Sequence, residues 1–366
     1  MPSFRTSFSL KCITHQRKMK KRIQIKAIDL FCGVGGLTCG LQKAGIPVVA
    51  GFDLDSTCEY AYTYNNSGRF IKKSVDEVAG EEIQHLYGDA QVKVLVGCAP
   101  CQPFSRHQKD KHHRSKHKDW RLLYQFGRIV KECNPDIVSM ENVPELAHEK
   151  VFIDFVEILR AEGYQVTYAV VNAADYGVPQ RRKRLLLLGA RDGEIHLLPP
   201  THSRPVTVAE AIGALPPVRA GEICVTDALH RSANLSDVNM ERMKHSHPGG
   251  TWRDWPESLR LPCHRKEKGA TYSSVYGRMR WDAPAPTITT QFTIFGTGRF
   301  GHPAQDRALT LREGAILQTF PSDYAFIDPN NVLPFSKIAR QIGNAVPPRL
   351  GEIIGKSILN FLYNVQ

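Results

Sequence analysis

Ala27-Ile28-Asp29-Leu30-Phe31-Cys32-Gly33-Val34-Gly35-Gly36-Leu37-Thr38-Cys39-Gly40-Leu41 reads as a strand, a glycine-rich turn and the start of a helix near Gly35. Glycines let a backbone approach a ligand closely, and a helix N-terminus lies beside them. The arrangement predicts a nucleotide-binding turn at the carboxyl end of a strand in an open α/β sheet. The spacing departs from the GxGxxG dinucleotide fingerprint, which needs a third glycine at a different step. Working outward, the apolar run 48–52 predicts a second strand, closed by Asp53-Leu54-Asp55. A carboxylate there can accept both hydroxyls of a ribose, so Asp53 is the candidate ribose ligand, with Leu54 against the base it carries.

Further along, the apolar run 92–96 predicts a buried strand that breaks into Gly97-Cys98-Ala99-Pro100-Cys101-Gln102-Pro103-Phe104-Ser105. A cysteine held between prolines where strand becomes loop is placed as a nucleophile would be. The Cys98/Cys101 pair also fits half a zinc site or a redox pair. Zinc would want two more ligands at close spacing, whereas Cys12, Cys32, Cys39, Cys58, Cys133, Cys224 and Cys263 are scattered singly. A thioredoxin-like pair would open a helix, and here Gln102-Pro103 follows instead. Residues 135–140 predict another buried strand, with Glu141-Asn142-Val143-Pro144 at its end. Tyr176-Gly177-Val178-Pro179-Gln180-Arg181-Arg182-Lys183-Arg184 then runs into a strand over 185–190. Arg182 and Arg184 lie two apart at its entry and are expected to share one face.

The turn at 31–36, Pro100-Cys101-Gln102, Glu141-Asn142-Val143, the basic run ending at Arg184, and Gln341-Ile342-Gly343-Asn344-Ala345-Val346-Pro347-Pro348 stand in this order. In that order they resemble the motifs of the cytosine-C5 DNA methyltransferases, over nearly the whole chain from about Lys26. The resemblance implies a Rossmann-like S-adenosylmethionine-dependent methyltransferase sheet with a second, smaller, irregular target-recognition domain. It implies that the Cys101 thiolate adds to C6 of a flipped-out cytosine, making C5 nucleophilic toward the methyl group. Glu141 would then contact N3, Arg184 would contact O2 with Arg182 beside it, and Asn142 would hold the nucleophile loop. A bound water is the candidate base for the C5 proton. For S-adenosylmethionine, the resemblance implies contacts from Asp29, Phe31 (on the adenine), Gly33, Gly35, Gly36, Leu37, Asp53, Leu54, Val75, Pro100, Leu122, Asn344 and Ala345, with no metal. Where the family often has an acidic residue for the adenine amino group, Ser74 stands here and Asp76 lies two further on. Relatives that methylate a tRNA cytosine share the nucleophile and Glu-Asn-Val but carry a Cys-Phe-Thr signature absent here. A catalytically silent DNA-binding protein is the other alternative, and Cys101, Glu141 and Arg184 argue against it.

The formal net charge is +12. Residues 1–26 carry eight Lys/Arg and no acid, and residues 106–121 carry seven against two Asp; the remainder is nearly neutral, with 33 basic and 34 acidic residues. The second basic segment starts just after the proposed nucleophile, which predicts a loop that closes over DNA through phosphate contacts. A solvated charge run is the alternative. The first is expected to be a disordered arm over 1–24, with Met19 as a possible start; a transit peptide is conceivable, and no clean apolar segment supports a secretory signal. No run of eighteen apolar residues exists, so no membrane span is expected. Scattered thiols fit a reducing compartment, and the expected location is cytoplasmic, at the nucleoid. The expected domains are 25–192 plus 338–366 for catalysis and cofactor, and 193–337 for target recognition and hinge. Trp252-Arg253-Asp254-Trp255, His264-Arg265-Lys266 and Tyr276-Gly277-Arg278-Met279-Arg280 carry groups that could read base edges. Arg312 and Glu313 are expected to be structural. Double-stranded DNA is the expected partner, with a cognate restriction endonuclease on the same site, and a monomer suffices.

Overall fold

The computed structural model describes residues 23–100 and 120–364. Cys101, most of the basic segment after it and the N-terminal arm lie outside the described residues.

Alternating strands and helices build the first half: β1 (Ile25–Leu30), α1 (Gly36–Ala44), β2 (Val48–Asp53), α2 (Glu59–Asn65), β3 (Arg69–Lys72), α3 (Gly80–Tyr87), β4 (Val92–Gly97), α4 (Trp120–Cys133), β5 (Ile137–Asn142), α5 (Lys150–Ala161), β6 (Gln165–Asn172) and β7 (Lys183–Ala190). They form a seven-stranded sheet in the order β3-β2-β1-β4-β5-β7-β6, with β7 antiparallel to both neighbours. The fold is the open, Rossmann-like α/β sheet that the glycine-rich turn predicted. Strand order reverses between β1 and β4, which opens a crevice at their carboxyl ends. Central strands of such a sheet are covered on both faces and therefore read as continuous apolar runs. All six residues of β5 are buried, Glu141 and Asn142 included, so these two belong to the strand and do not merely follow it.

Register explains how distant motifs meet. Leu30 pairs with Gly97, Gly97 with Met140, and Asn142 with Leu185. The ends of β1, β4 and β5 therefore stand level, and antiparallel β7 delivers Arg184 to the same edge. One face of the sheet is covered by α3, α4 and α5 through Ile83, Phe126, Ile129 and Phe155. The other is covered by α1 and by the last helix, through Leu37, Leu41, Ile353, Ile354 and Ile358. A methyl group on Gly40 would lie 2.2 Å from the Pro348 carbonyl, so the two helices cross at near backbone contact.

After Ala190 the elements shorten: α6 (Val208–Ile212), β8 (Ile223–Cys224), β9 (Asp227–Arg231), α7 (Asp237–Lys244), α8 (Glu267–Ala270), α9 (Leu311–Leu317), α10 (Phe335–Asn344) and α11 (Pro348–Asn364). Their core joins Leu309, Leu311 and Phe320 to Val34, Cys39 and Ala61 of the first half. The Tyr324 hydroxyl donates to the Val34 carbonyl at 2.5 Å, tying this region to the glycine-rich turn. Arg312 pairs with Asp227 at 2.6 Å. Glu313 caps α9, accepting from the Thr310 backbone at 2.8 Å, and faces Arg307 with both side chains wholly buried.

Candidate active site

The glycine-rich turn is built by left-handed backbone at Phe31 (φ 59°), Gly33 (φ 51°) and Gly35 (φ 85°), the last capping α1. At Gly33 an added methyl group would meet nothing within 4 Å, so the turn faces open space. The Asp53 carboxylate fixes its shape, accepting from the Gly33 N–H and the Asp55 N–H, each at 2.8 Å. Burial raises the Asp53 pKa against those backbone bonds. Beside it Leu54 is 66% exposed, which is costly for a leucine without an apolar partner. From the far end of the chain, Ala345 and the Val346 carbonyl close against Gly36, and Lys337 pairs with Asp55 at 2.7 Å. Asn344 is exposed at the end of α10. Phe31, Val75 and Leu122 meet in one apolar cluster on the other side.

Several side chains are spent internally. Leu37 is buried between α1 and α11, so only its backbone faces the turn's side. The Val75 carbonyl accepts from Arg128 at 2.9 Å. Ser74 donates to Asp76 at 3.2 Å, and Arg121 reaches the other Asp76 oxygen at 3.4 Å. Asp29 is 1% exposed; its Oδ2 accepts from Thr38 at 2.7 Å while its Oδ1 has no partner. Burial, aided by the nearby Asp53 charge and opposed by Thr38, pushes its pKa up to about 7. The unfolded carboxyl ionises near 4, so folding takes up a proton between about pH 4 and pH 7. The stability this acid lends is complete below the unfolded pKa and is lost as pH rises through the folded one. Asp29→Asn removes the titration, so on the cofactor-free chain its stability relative to wild type should climb by roughly 4 kcal/mol as pH passes through that window and then level off. Urea melts at stepped pH check this, and parallel curves for the two proteins would refute it.

The reactive edge lies one strand over. Glu141 is 3% exposed, with Arg184 Nε 2.8 Å from its Oε1 and the Cys98 thiol donating to its Oε2 at 2.9 Å. The Arg184 approach is a charge contact without a linear hydrogen bond. Asn142 Nδ2 donates to the Ala99 carbonyl at 3.0 Å, which anchors the chain just before half-buried Pro100 and the Cys101 position. The Cys98–Glu141 contact was missed by motif reading; the pairing of Gly97 with Met140 brings these neighbours abreast. Arg182 and Arg184 meet different partners. Arg182 lies just before β7, and its buried guanidinium donates to the carbonyls of Ile288 (3.0 Å), Gly343 (3.3 Å) and Ala345 (3.2 Å).

The family model for C-5 cytosine-specific DNA methylases matches residues 25–360. The chain belongs to this family. It is a DNA cytosine-C5 methyltransferase. Over 92% of its length the methylase is 52% identical to the Type II methylase M.HgiDII of Herpetosiphon aurantiacus, covering 95% of that protein. It is 33% identical to the Type II methyltransferase M1.HphI of Haemophilus parahaemolyticus, covering 92% of this chain and 87% of that one. Among solved structures, a prophage-encoded E. coli chain described as a DNA modification methyltransferase superposes with a TM-score of 0.72 at 24% identity, over 93% of this chain and 99% of that one. S. pombe Dnmt2 methyltransferase does so with a TM-score of 0.60 at 15% identity, over 93% and 99%. These two likenesses show the fold. No helix among the described residues is long and apolar enough to cross a membrane.

The methylase uses most of its expected base-reading aromatics for packing. Trp252 and Trp255 are buried with Phe295, and His264 stacks on Trp252 with centroids 4.1 Å apart. Tyr276 packs edge-on against Trp255 and Phe295. Arg278 is 5% exposed and donates to the carbonyls of Met243, Ser246, His302 and Gln305, so it cannot reach a base edge.

Proposed function

We propose that the methylase acts on a cytosine flipped out of duplex DNA, by covalent addition of Cys101 to C6, with S-adenosylmethionine as methyl donor. The pairing of Glu141 with Arg184 at 2.8 Å, beside the loop that Asn142 holds, carries this reading. S-adenosylmethionine supplies, when bound, the methyl group that C5 receives. The open turn at Gly33, the orphaned Asp29 Oδ1 and exposed Leu54 beside Asp53 fit such a ligand. Asp53 would hold its ribose, Phe31 and Leu54 its adenine, and the backbone around Gly35, Gly36, Leu37, Val75, Pro100, Asn344 and Ala345 the remainder, with Leu122 behind.

As the Cys101 thiolate forms its bond to C6, the electron pair of the C5–C6 double bond moves into the ring toward N3 and O2. Arg184 stabilises charge at O2, and Glu141 holds a proton toward N3. A water takes the C5 proton, and the pair left behind reforms the double bond as the C6–S bond breaks and sulfur leaves as thiolate. Arg182 serves this chemistry as a positioning residue. The Type II names of its relatives support a modification role alongside a restriction endonuclease of the same site; in this reading the methylase works as a monomer on the nucleoid of the cytoplasm.

Glu141→Gln keeps shape but loses proton donation and the charge opposite Arg184, so kcat is expected to fall about 10²- to 10⁴-fold with DNA binding retained. Nucleoside mass spectrometry of 5-methylcytosine in duplex DNA, with tRNA as the second substrate, measures it. A wild-type rate in the variant, or product confined to tRNA, would overturn the reading.

A further inference from the structure

We infer that Arg280 reads a guanine of the recognition sequence, and that Asp282 and Gly249 hold it for that task. The inference rests on the duplex-DNA reading above. An open cleft of about 300 Å³ is lined by Arg181, Arg280, Arg299, Gly249, Pro284 and Pro286. Arg181 is exposed and stands three residues before Arg184 in the chain. Arg299 is committed to the carbonyls of Gly250 (2.6 Å) and Arg278 (3.3 Å). Arg280 has its Nε on Asp282 Oδ1 at 2.8 Å and its Nη2 on Oδ2 at 2.5 Å. That pairing uses one edge of the guanidinium and leaves the Nη1/Nη2 end, two parallel donors that match guanine O6 and N7.

Two further observations set this arginine apart from an ordinary surface charge. Gly249 has φ 78°, and a methyl group on it would lie 2.9 Å from Arg280 Cδ and 3.1 Å from Cγ. The glycine leaves the space in which the arginine stem lies. The Arg280 and Asp282 side chains are 58% and 67% exposed, so their pairing adds little to stability. It does fix a flexible side chain in advance, which lowers the entropic cost of binding. The adjoining carboxylate also cancels much of the charge that would draw a phosphate, while leaving the directional donors intact. That combination suits a base edge better than the DNA backbone.

Methylation of a randomised duplex library, read at base resolution, tests the assignment. Wild type should mark one defined sequence. Arg280→Ala and Arg280→Lys should lose discrimination at a single G·C pair by roughly ten- to hundredfold, with the other positions unchanged. Asp282→Asn should relax the same pair in part, and Arg181→Ala should lower all sequences alike. Equal cofactor binding verifies that each variant folds. Unchanged preference in Arg280→Ala, or a uniform loss over every sequence, overturns the inference. Absence of 5-methylcytosine in every duplex with wild type would instead strike down the underlying function.

Discussion

Replacing Cys101 with alanine is expected to reduce 5-methylcytosine formation at least about 10⁴-fold, to background, while cofactor binding stays unchanged. Cytosine C5 is too weak a nucleophile to take a methyl group without an adduct at C6, so the lost step has no slower substitute in the same site. Other thiols do not replace it. Cys32, Cys39, Cys58 and Cys133 are buried in the sheet and its flanking helices. Burial pushes the Cys133 thiol up to about 12 and raises the others as well, so they stay protonated at neutral pH. Cys98 is nearest in sequence, but its proton is engaged by Glu141. Single-turnover mass spectrometry on duplex DNA reads the loss. Residual product above about one part in a hundred, removed by a further Cys98→Ala change, would move the nucleophile to Cys98.

Arg307→Met is expected to destabilise the chain by about 3–5 kcal/mol, the largest effect on folding anticipated from a single substitution here. Arg307 and Glu313 are both 0% exposed and meet through two parallel bonds of 2.7 Å. The same carboxylate caps α9 and lies 3.7 Å from His302, whose pKa burial drives down to about 4. Removing the guanidinium strands a buried carboxylate that a neutral imidazole cannot balance. Arg307→Met with Glu313→Leu removes both charges and should recover most of the loss, leaving about 1 kcal/mol for the cap. Urea midpoints of the single and double variants decide it. A double variant as unstable as the single would show that packing, and not the unpaired charge, sets the cost.

The sheet was legible because its strands are apolar runs closed by glycine, proline or acid, a pattern buried parallel strands enforce. Asp53, Glu141 and Asn142 could be singled out because each polar residue interrupts such a run at its end. Partners across strands were not legible, since register needs the fold: hence the thiol of Cys98 against Glu141. The partners of Arg182, carbonyls at 288, 343 and 345, were out of reach of a strand pattern for the same reason. The tryptophans at 252 and 255 look alike in sequence whether they pack or read DNA. Without periodicity around them, nothing in the chain told their burial in advance.

The crossing of α1 and α11 also has a consequence for the order of synthesis. All seven strands are made by Ala190, yet the seventeen-residue helix that covers Leu37, Leu41, Val94 and Leu188 begins only at Pro348. On the ribosome, the part of one apolar face that α1 leaves bare waits for more than a hundred residues before its cover emerges. During that interval the face is open to chaperones and to other nascent chains. The methylase is therefore most exposed to aggregation after its sheet is made and before its last helix arrives.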